Sequence, residues 1–284
     1  MPAPLPEISL PVGIATLLRD LIHERIGIYF EDSRLGMMID KLSGRAAARG
    51  CRSYLDYYYI LKYDEHLADE WLRVMDAFSV QETYFYREFS QIHVLVNTLI
   101  PAWFQKTSEP FKIWSAACAS GEEPYSLAIA IREAGLRHLP IEIVASDASE
   151  LALSRAQSAI YRERSFRSFP EALRRRYFSE TPEGWQLQRE ELLPISFKRV
   201  NLASSEDIAQ IGETRVIFCR NVFIYFSSSA IERTVSAFSL QMPFDGTLFI
   251  GASESLLKMR TPFELKEMGD AFAYVRKPRE DKKS

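Results

Sequence analysis

Apolar residues in the first quarter of the chain recur every three or four positions, which is the spacing of amphipathic helices. Gly27 and Gly50 lie between such stretches and are typical helix terminators. No alternating, strand-like pattern interrupts them. We therefore predict an all-α N-terminal domain over residues 1–78. The apolar stretches occupy residues 14–22, 35–42, 54–61 and 67–78.

From Phe111 onward the pattern changes, because short apolar runs alternate with helical stretches. Strands are predicted at 111–115, 141–146, 214–219, 247–252 and 271–276. Helices are predicted at 89–106, 122–134, 149–159, 205–211 and 228–241. This alternation is typical of parallel strands joined by crossover helices. The predicted fold class is α/β, with a doubly wound, Rossmann-like sheet over residues 111–284. Residues 79–110 are predicted to form a linker and a first helix, which join this sheet to the helical domain.

Residues 176–200 break this rhythm, since a Pro-Glu-Gly turn separates two β-prone segments there. Two strands joined by a short turn form an antiparallel hairpin. We therefore predict a small antiparallel β-subdomain at about 176–200.

Composition narrows the class of protein only slightly. Hydrophobic residues make up 47% of the chain and charged residues 26%, with a net charge of -3, so nucleic acid and anionic membranes are not predicted partners. No apolar run approaches the ~20 residues of a membrane span, and the N-terminus has no basic start or hydrophobic stretch of a secretory signal. Three scattered cysteines and four scattered histidines predict neither a metal site nor a disulfide framework. A cytoplasmic location is expected.

The segment Trp114–Ser126 carries the most chemical information. Its small residues lie between a predicted strand and a predicted helix, where α/β proteins bind nucleotides. Glu122 and Glu123 open the helix and place negative charge where a phosphate-binding loop has backbone amides and a lysine. A pocket shaped for a nucleoside but lined with carboxylates predicts a ligand without phosphate, such as S-adenosylmethionine. The small residues are Ala116, Ala117, Ala119, Ser120 and Gly121.

Two acidic residues of this region have a functional and a structural interpretation. Asp147 ends the second strand, 26 residues after Gly121, where a carboxylate accepts both ribose hydroxyls in nucleotide-binding units. Alternatively, Asp147 caps the helix that starts near Ser149. Glu122 either holds the cationic amino group of the ligand or merely stabilises the helix N-terminus through the helix dipole.

Polar residues also follow two later strands. Asn201 either bonds an adenine edge or starts a turn. Arg220 and Asn221 directly follow the strand that ends at Cys219, where the ligand cleft of a parallel sheet forms. An arginine at that point is not expected in the core, because burying it without a partner is costly. Tyr225 is ambiguous by itself, since tyrosines are also common in cores.

Two further segments are candidates for function. Residues 79–87 join the two predicted domains and carry three consecutive aromatic residues and a terminal Arg87, which indicates a segment packed against the pocket rather than a plain linker. A basic stripe runs along the second helix, and between residues 34 and 52 only Asp40 opposes it. Such a face is either solvated or docks an acidic partner by electrostatic steering. The stripe comprises Arg34, Lys41, Arg45, Arg49 and Arg52.

Taken together, these segments resemble the CheR-type chemoreceptor methyltransferases, and the likeness spans nearly the whole chain. The motif in the linker begins with Gln81 where the family has Asn, and Ala252 stands where the family has His. The matching segments are QETYFYR (81–87), WSAACASGEEPYS (114–126), ASD (145–147), NL (201–202), FCRNVFIYF (218–226) and GASE (251–254).

The resemblance implies an activity, a cofactor and a partner. The activity would be methyl transfer from S-adenosylmethionine to glutamate side chains on the cytoplasmic helices of a chemoreceptor, giving the glutamate methyl ester and S-adenosylhomocysteine. Arg87 and Tyr225 would lie nearest the transferred methyl group, and Arg45, Arg49 and Arg52 would help to dock the receptor. No metal is implied. The cofactor site would comprise Gln81, Thr83, Arg87, Glu122, Asp147, Asn201, Leu202, Arg220 and Asn221.

Two other functions remain open at this stage. One is a methyltransferase of the same fold that acts on a small molecule or on a non-receptor protein, although the basic helix and the β-subdomain suit a long acidic helix better. The other is a non-catalytic module that senses S-adenosylmethionine, against which the retention of Arg87 and Tyr225 argues.

In some members of this family the β-subdomain grips a peptide at the receptor C-terminus. Those members tend to have a longer, glycine-rich loop where this chain has only Ser179–Gly184. We therefore predict that this enzyme does not depend on such a tether.

Overall fold

The computed structural model describes residues 12–64 and 68–278 of the 284-residue chain. Two predictions from the sequence concern residues outside these ranges. They are the absence of a secretory signal at the N-terminus and the position of Leu67 in the fourth amphipathic stretch. Four helices form the N-terminal part, and their apolar faces meet in a core that contains Leu18, Ile22, Met38 and Leu42. The helices are α1 (Val12–Ile26), α2 (Leu35–Ala48), α3 (Tyr54–Tyr63) and α4 (Ala68–Phe78), with a 3₁₀ turn at Asp32–Arg34.

A buried carboxylate ties three of these helices together. Glu70 of α4 is fully buried and accepts hydrogen bonds from Arg45 Nη2 at 2.6 Å and from Arg49 Nε at 2.7 Å. The Tyr57 hydroxyl donates to the same carboxylate at 2.6 Å. The basic stripe on α2 is thus opposed by Glu70 as well as by Asp40. Glu70 was not among the charged residues considered between positions 34 and 52, because it lies on another helix.

The connection to the sheet is one continuous helical stretch, within the range 89–106 expected from the sequence. It consists of α5 (Phe89–Val94), a π turn at Leu95–Leu99 and α6 (Ile100–Phe104). Pro101 lies just after the π turn, inside this stretch, where its missing backbone N–H removes one helical hydrogen bond.

The main sheet has seven strands and carries helices on both faces. The strands of the described residues are β1 (Phe111–Ala116), β2 (Ile141–Asp147), β3 (Ile160–Tyr161), β4 (Phe178–Thr181), β5 (Gly184–Leu187), β6 (Ile195–Arg199), β7 (Val216–Phe218), β8 (Thr247–Phe249), β9 (Phe263–Met268) and β10 (Ala271–Arg276). In the main sheet, β6, β2, β1, β7 and β8 are parallel in that order, and β10 and β9 continue the sheet as an antiparallel hairpin.

Helices cover the crossovers of this sheet, as the alternating pattern predicts. Two core clusters lie on its opposite faces, one around Phe111 and Ile113 and the other around Trp114 and Ile217. The helices are α7 (Glu122–Glu133), α8 (Glu150–Ser158), α9 (Glu171–Tyr177), α10 (Ser205–Ala209) and α11 (Ser228–Leu240), with 3₁₀ turns at Glu163–Phe166 and Phe223–Tyr225. The predicted fold class is confirmed, with an all-α N-terminal part, a mixed α/β sheet and a small antiparallel sheet.

The small sheet differs from the predicted range 176–200 at both ends. It contains β3, β5 and β4, so it begins at Ile160. Ile195–Arg199 instead pairs parallel to β2 at the edge of the main sheet. The sequence pattern did not separate these strands, because both are short β-prone runs and only pairing assigns them to a sheet.

The strand Phe263–Met268 was not predicted, and it makes the end of the sheet antiparallel. Gly269 and Asp270 alone separate it from β10, and a two-residue connection can join only antiparallel strands. Residues 264–267 are exposed at the sheet edge and carry three charges, so the apolar signal of a strand is weak there.

Candidate active site

A cleft opens at the carboxyl ends of the central strands, between the sheet and the helical domain. Both parts of the chain line it, since Ile26, Ile28, Met75 and Phe78 of the helical domain face the loops that follow β1, β2 and β7. Eight residues that the sequence proposed for the site line this cleft. They are Thr83, Arg87, Asp147, Asn201, Leu202, Arg220, Asn221 and Tyr225.

The loop after β1 forms one wall of the cleft with backbone and very small side chains. Ala117 and Ala119 adopt positive φ angles of 57° and 48°, and both line the cleft. Gly121 has φ 93°, and a Cβ there would meet Ala156 Cβ of α8 at 2.8 Å. Because the loop packs this closely on α8, only glycine fits at position 121. A flat ligand can therefore lie directly against this loop.

Asp147 stands at the end of β2, and its carboxylate fixes the loop that follows β1. Its Oδ2 accepts from Ala119 N at 3.0 Å, and its Oδ1 accepts from Ser149 N at 2.9 Å. The helix that follows is capped by Ser149, whose Oγ accepts from Ala152 N, so Asp147 is not the N-cap. Burial raises the pKa of the Asp147 carboxyl above its usual range, while the backbone donors oppose the rise. A buried carboxylate that lines the cleft fits the recognition of two vicinal hydroxyls.

The two glutamates that open α7 have different surroundings. Glu122 is buried, accepts from Ser120 Oγ at 2.7 Å and Ser165 Oγ at 2.9 Å, and is absent from the cleft wall. Burial raises the pKa of its carboxyl. Glu123 instead lines the cleft, where Arg220 Nε donates to it at 2.6 Å. The helix start therefore presents its second glutamate to the cleft, and the expected contact of Glu122 with the ligand amino group stays a prediction.

Arg220 is buried, contrary to the expectation that an arginine here would stay out of the core. It reaches that position because Glu123 neutralises it, and because its Nη1 donates to the Arg87 carbonyl at 2.6 Å. Ser115 Oγ also donates to Glu123 at 2.6 Å. This network joins the end of β1, α7, the linker and the end of β7 into one rigid wall.

Asn221 is held in place by its backbone and leaves part of its side chain free. It has φ 60°, and its N–H donates to Glu254 Oε2 at 2.9 Å. Glu254 also accepts from Gly251 N at 2.6 Å, and burial raises the pKa of its carboxyl. Asn221 Oδ1 is buried without a hydrogen-bond partner among the described residues. An acceptor of this kind on the cleft wall fits a cationic N–H donor of a ligand.

Asn201 connects the cleft to the helical domain. Its Nδ2 donates to the Arg25 carbonyl at 2.8 Å and its Oδ1 accepts from Ala203 N at 3.0 Å. Asn201 therefore starts a turn, as one interpretation of the sequence has it, and it lines the cleft beside Leu202. Its bond to an adenine edge stays a prediction. The link to Arg25 was not visible in the sequence, because 176 residues separate the two positions.

Of the three linker residues that were predicted at the site, Thr83 and Arg87 line the cleft and Gln81 does not. Arg87 Nη1 donates to the Glu82 carbonyl at 3.0 Å. Gln81 does not line the cleft, because its Oε1 accepts from Arg155 on α8. The expected contact of Gln81 with the cofactor thus stays a prediction that this side-chain position does not support.

Tyr225 lies where the helical domain meets the sheet domain. Its carbonyl accepts from Tyr29 N at 2.9 Å, and Ile28 and Phe226 form an isolated antiparallel bridge. Gly27 has φ 79°, and a Cβ there would meet the Phe226 ring at 2.8 Å, so the domains approach without room for a side chain. Docking of the helical domain therefore helps to fix Tyr225 on the cleft wall.

The wall as a whole fits a nucleoside that carries a cation and an amino-acid tail. Asp147 would hold the ribose hydroxyls, Asn221 would accept from the ammonium group, and the alanine loop would receive the adenosyl part. Within residues 12–64 and 68–278, no group of three or more His, Cys, Asp or Glu residues is placed to hold a metal ion. Over the same residues, no helix has the length and hydropathy to cross a membrane.

A doubly wound sheet with this cleft fits the class of S-adenosylmethionine-dependent methyltransferases, and the family models that match the chain show that class. The family model "CheR methyltransferase, SAM binding domain" matches residues 81–272, and "CheR methyltransferase, all-alpha domain" matches residues 16–79. The chain belongs to the CheR methyltransferase family, which serves chemotaxis, and S-adenosylmethionine is its cofactor.

Similar proteins cover most of the chain. "Chemotaxis protein methyltransferase 2" of Vibrio cholerae is 32% identical over 272 residues, which are 94% of each chain. The "Chemotaxis protein methyltransferase" of Klebsiella aerogenes is 32% identical and covers 90% of this chain and 89% of its own. The "Probable biofilm formation methyltransferase WspC" of Pseudomonas putida is 30% identical over 90% of this chain and 60% of its own length.

Among solved structures, the magnesium protoporphyrin IX methyltransferase of Synechocystis with bound SAH covers 93% of this chain and 96% of its own, with a TM-score of 0.34 and 15% identity. TehB from Haemophilus influenzae covers 66% of this chain and 62% of its own, with a TM-score of 0.37 and 12% identity. These two similarities support no inference about the substrate of this chain.

Proposed function

We propose that this enzyme transfers the methyl group of S-adenosylmethionine to glutamate side chains on the cytoplasmic part of a chemoreceptor, for sensory adaptation. The observation that carries the proposal is the presence of Arg87 and Tyr225 on the wall of the same cleft as Asp147. The similar proteins of Vibrio cholerae and Klebsiella aerogenes are named chemotaxis protein methyltransferases, which supports a receptor as substrate. A cytoplasmic location follows from that substrate.

The chemistry of a carboxylate nucleophile suits this cleft. Bound S-adenosylmethionine supplies an electrophilic methyl group on a positively charged sulfur. A glutamate is already ionised at neutral pH and needs no general base, and no histidine is among the described residues that line the cleft. What the protein must provide is alignment of the carboxylate with the methyl group and exclusion of water, and alignment can lower a barrier by roughly 7–11 kcal/mol.

The charge of the cleft is also appropriate. The reacting carboxylate and sulfonium lose their charges together, so a strongly cationic site would stabilise the ground state more than the transition state. Of the two arginines on the wall, Arg220 is neutralised by Glu123. Arg87 therefore remains to orient the incoming carboxylate, and the Tyr225 hydroxyl serves as a neutral donor.

On the helical domain, the basic face of α2 is proposed to dock the receptor, but its arginines are not expected to contribute equally. Arg45 and Arg49 share the buried Glu70, which reduces the charge that they offer to a partner. Arg52 is exposed just beyond α2, and its backbone N–H donates to Asp56. We expect Arg52 to contribute more to docking than its two neighbours.

A labelling experiment tests the proposed activity. The full chain is incubated with S-adenosylmethionine labelled in the methyl group and with a receptor cytoplasmic fragment. Base-labile methyl esters on the fragment are the expected result. Label on another molecule but not on the receptor would contradict the substrate assignment, and cofactor binding without any turnover would contradict the enzymatic role.

Independence from a receptor tether makes a separate prediction. The turn between β4 and β5 consists only of Pro182 and Glu183, so the hairpin offers little loop to enclose a peptide. We expect no measurable calorimetric binding of a receptor C-terminal pentapeptide and equal methylation of receptor fragments with and without it. Tight binding, or methylation that requires the pentapeptide, would refute the prediction.

A further inference from the structure

The segment between residues 155 and 176 is strongly basic, although the chain as a whole is acidic. It contains seven arginines and two glutamates. The three arginines at its C-terminal end are paired within the fold, since Arg174 contacts Glu163, Arg175 contacts Glu171 and Arg176 contacts Glu133. The remaining four arginines precede them and are exposed, and one of the four, Arg167, forms an ion pair with Glu82 of the linker.

Three of these four arginines, Arg155, Arg164 and Arg167, lie beside the linker that lines the cleft. Phe85 N donates to the Ser165 carbonyl at 2.9 Å, and the Phe85 and Phe166 rings stack with centroids 5.3 Å apart. The 3₁₀ turn that carries Arg164 is therefore packed directly against the linker. Since Thr83 and Arg87 line the cleft, the basic turn lies on its rim.

Side-chain contacts place two of the arginines against the linker itself. Arg167 lies 3.7 Å above the Tyr84 ring and donates to Glu82 at 2.7 Å. Arg87 lies 5.4 Å from the same ring, so Tyr84 contacts both guanidinium groups. Arg155 donates to Gln81. Because the aromatic ring and the linker fix these side chains, their positive charges are held in place before a partner binds.

We propose that Arg155, Arg164 and Arg167, here called the linker-side basic strip, dock an acidic helical segment of the protein substrate next to the glutamate that enters the cleft. The proposal rests on the function proposed above. Among the described residues Arg164 has no ion pair, and the guanidinium of Arg155 donates to the neutral Gln81, so both keep their charge available. Arg167 shares its charge with Glu82 and fixes the strip to the linker. A substrate segment that carries carboxylates on its surface is complementary to such a rim, which would accelerate its encounter with the cleft.

The test measures methylation kinetics of a receptor cytoplasmic fragment with the full chain. The double variant Arg155→Gln/Arg164→Gln, which removes the two charges that no carboxylate pairs with among the described residues, is expected to raise the KM for the fragment about tenfold, because each exposed ion pair is worth a few-fold in affinity. We expect kcat and the Kd of S-adenosylhomocysteine to stay within about twofold, and the salt dependence of kcat/KM to weaken. Arg164→Gln alone, which leaves the contacts of Arg167 with Tyr84 and Glu82 intact, should give a smaller rise of the same kind.

Arg137→Gln is the matched control, because Arg137 is an exposed arginine that follows α7 at the opposite end of the sheet from the cleft. An unchanged KM and salt dependence in both strip variants would overturn the docking role while leaving the proposed function intact. An equal rise in KM for Arg137→Gln, or a loss of S-adenosylhomocysteine affinity in Arg164→Gln, would also overturn it. No methyl ester with the unaltered protein would instead refute the proposed function, and the docking role with it.

Discussion

Replacing Arg87 by alanine is expected to lower kcat for receptor methylation about 100-fold, which is the order of loss that misalignment of a reacting group causes. Among residues 12–64 and 68–278, no carboxylate forms an ion pair with Arg87 on the cleft wall, whereas Arg220 is paired with Glu123. Without Arg87, an incoming glutamate loses the group that would align its oxygen with the methyl donor. Turnover at saturating S-adenosylmethionine and receptor fragment measures this effect.

The same variant should change folding much less than turnover. Only the Arg87 backbone carbonyl accepts from Arg220, and alanine retains that carbonyl. Arg87→Lys is the informative companion, because lysine keeps the charge but cannot form two parallel hydrogen bonds with a carboxylate. We expect it to recover only part of the lost turnover. Normal turnover in Arg87→Ala would mean that the linker serves packing alone.

The elements that the sequence predicts well are those whose signal is local. The helical domain follows from apolar spacing, and the central strands follow from apolar runs that are buried on both faces, such as Val216–Phe218. Asp147 and Arg220 could be placed at the cleft for the same reason, since each lies at the carboxyl end of a buried strand. A residue at the carboxyl end of a central parallel strand has little choice of position.

What the sequence could not predict depends on contacts between distant segments. Glu70 neutralises Arg45 and Arg49 from another helix, and Glu123 allows Arg220 to be buried. Neither pairing has a periodic signature. Glu122 and Glu123 are adjacent in an acidic pair, so only the rotation of α7 decides which carboxylate faces the cleft. The helical side of the cleft, formed by residues such as Met75 and Phe78, appears in the sequence only as apolar core positions.

Replacing Asp147 by alanine is expected to weaken binding of S-adenosylmethionine and S-adenosylhomocysteine by about 1–3 kcal/mol, the cost of losing a charged hydrogen-bond partner. Calorimetry with either ligand measures this loss. Because burial raises the pKa of Asp147, the carboxyl takes up a proton at a higher pH than an ordinary aspartate. The protonated form accepts fewer hydroxyl hydrogen bonds, so the affinity of the unaltered protein should fall as the pH decreases toward that pKa, and Asp147→Ala should lose this dependence.

Asp147 also supports the backbone of the cleft wall, and a matched variant separates this structural role from ligand recognition. Asp56 likewise accepts two backbone N–H groups, from Arg52 at 3.2 Å and Ser53 at 2.9 Å, but it lies in the helical domain and does not line the cleft. Asp56→Ala should lower the thermal stability while leaving cofactor affinity unchanged. If Asp147→Ala loses stability but binds both ligands with full affinity, Asp147 holds the loop and does not contact the ribose. Weakened binding by a protein that is still folded at the temperature of the measurement would instead assign the carboxylate to the ligand.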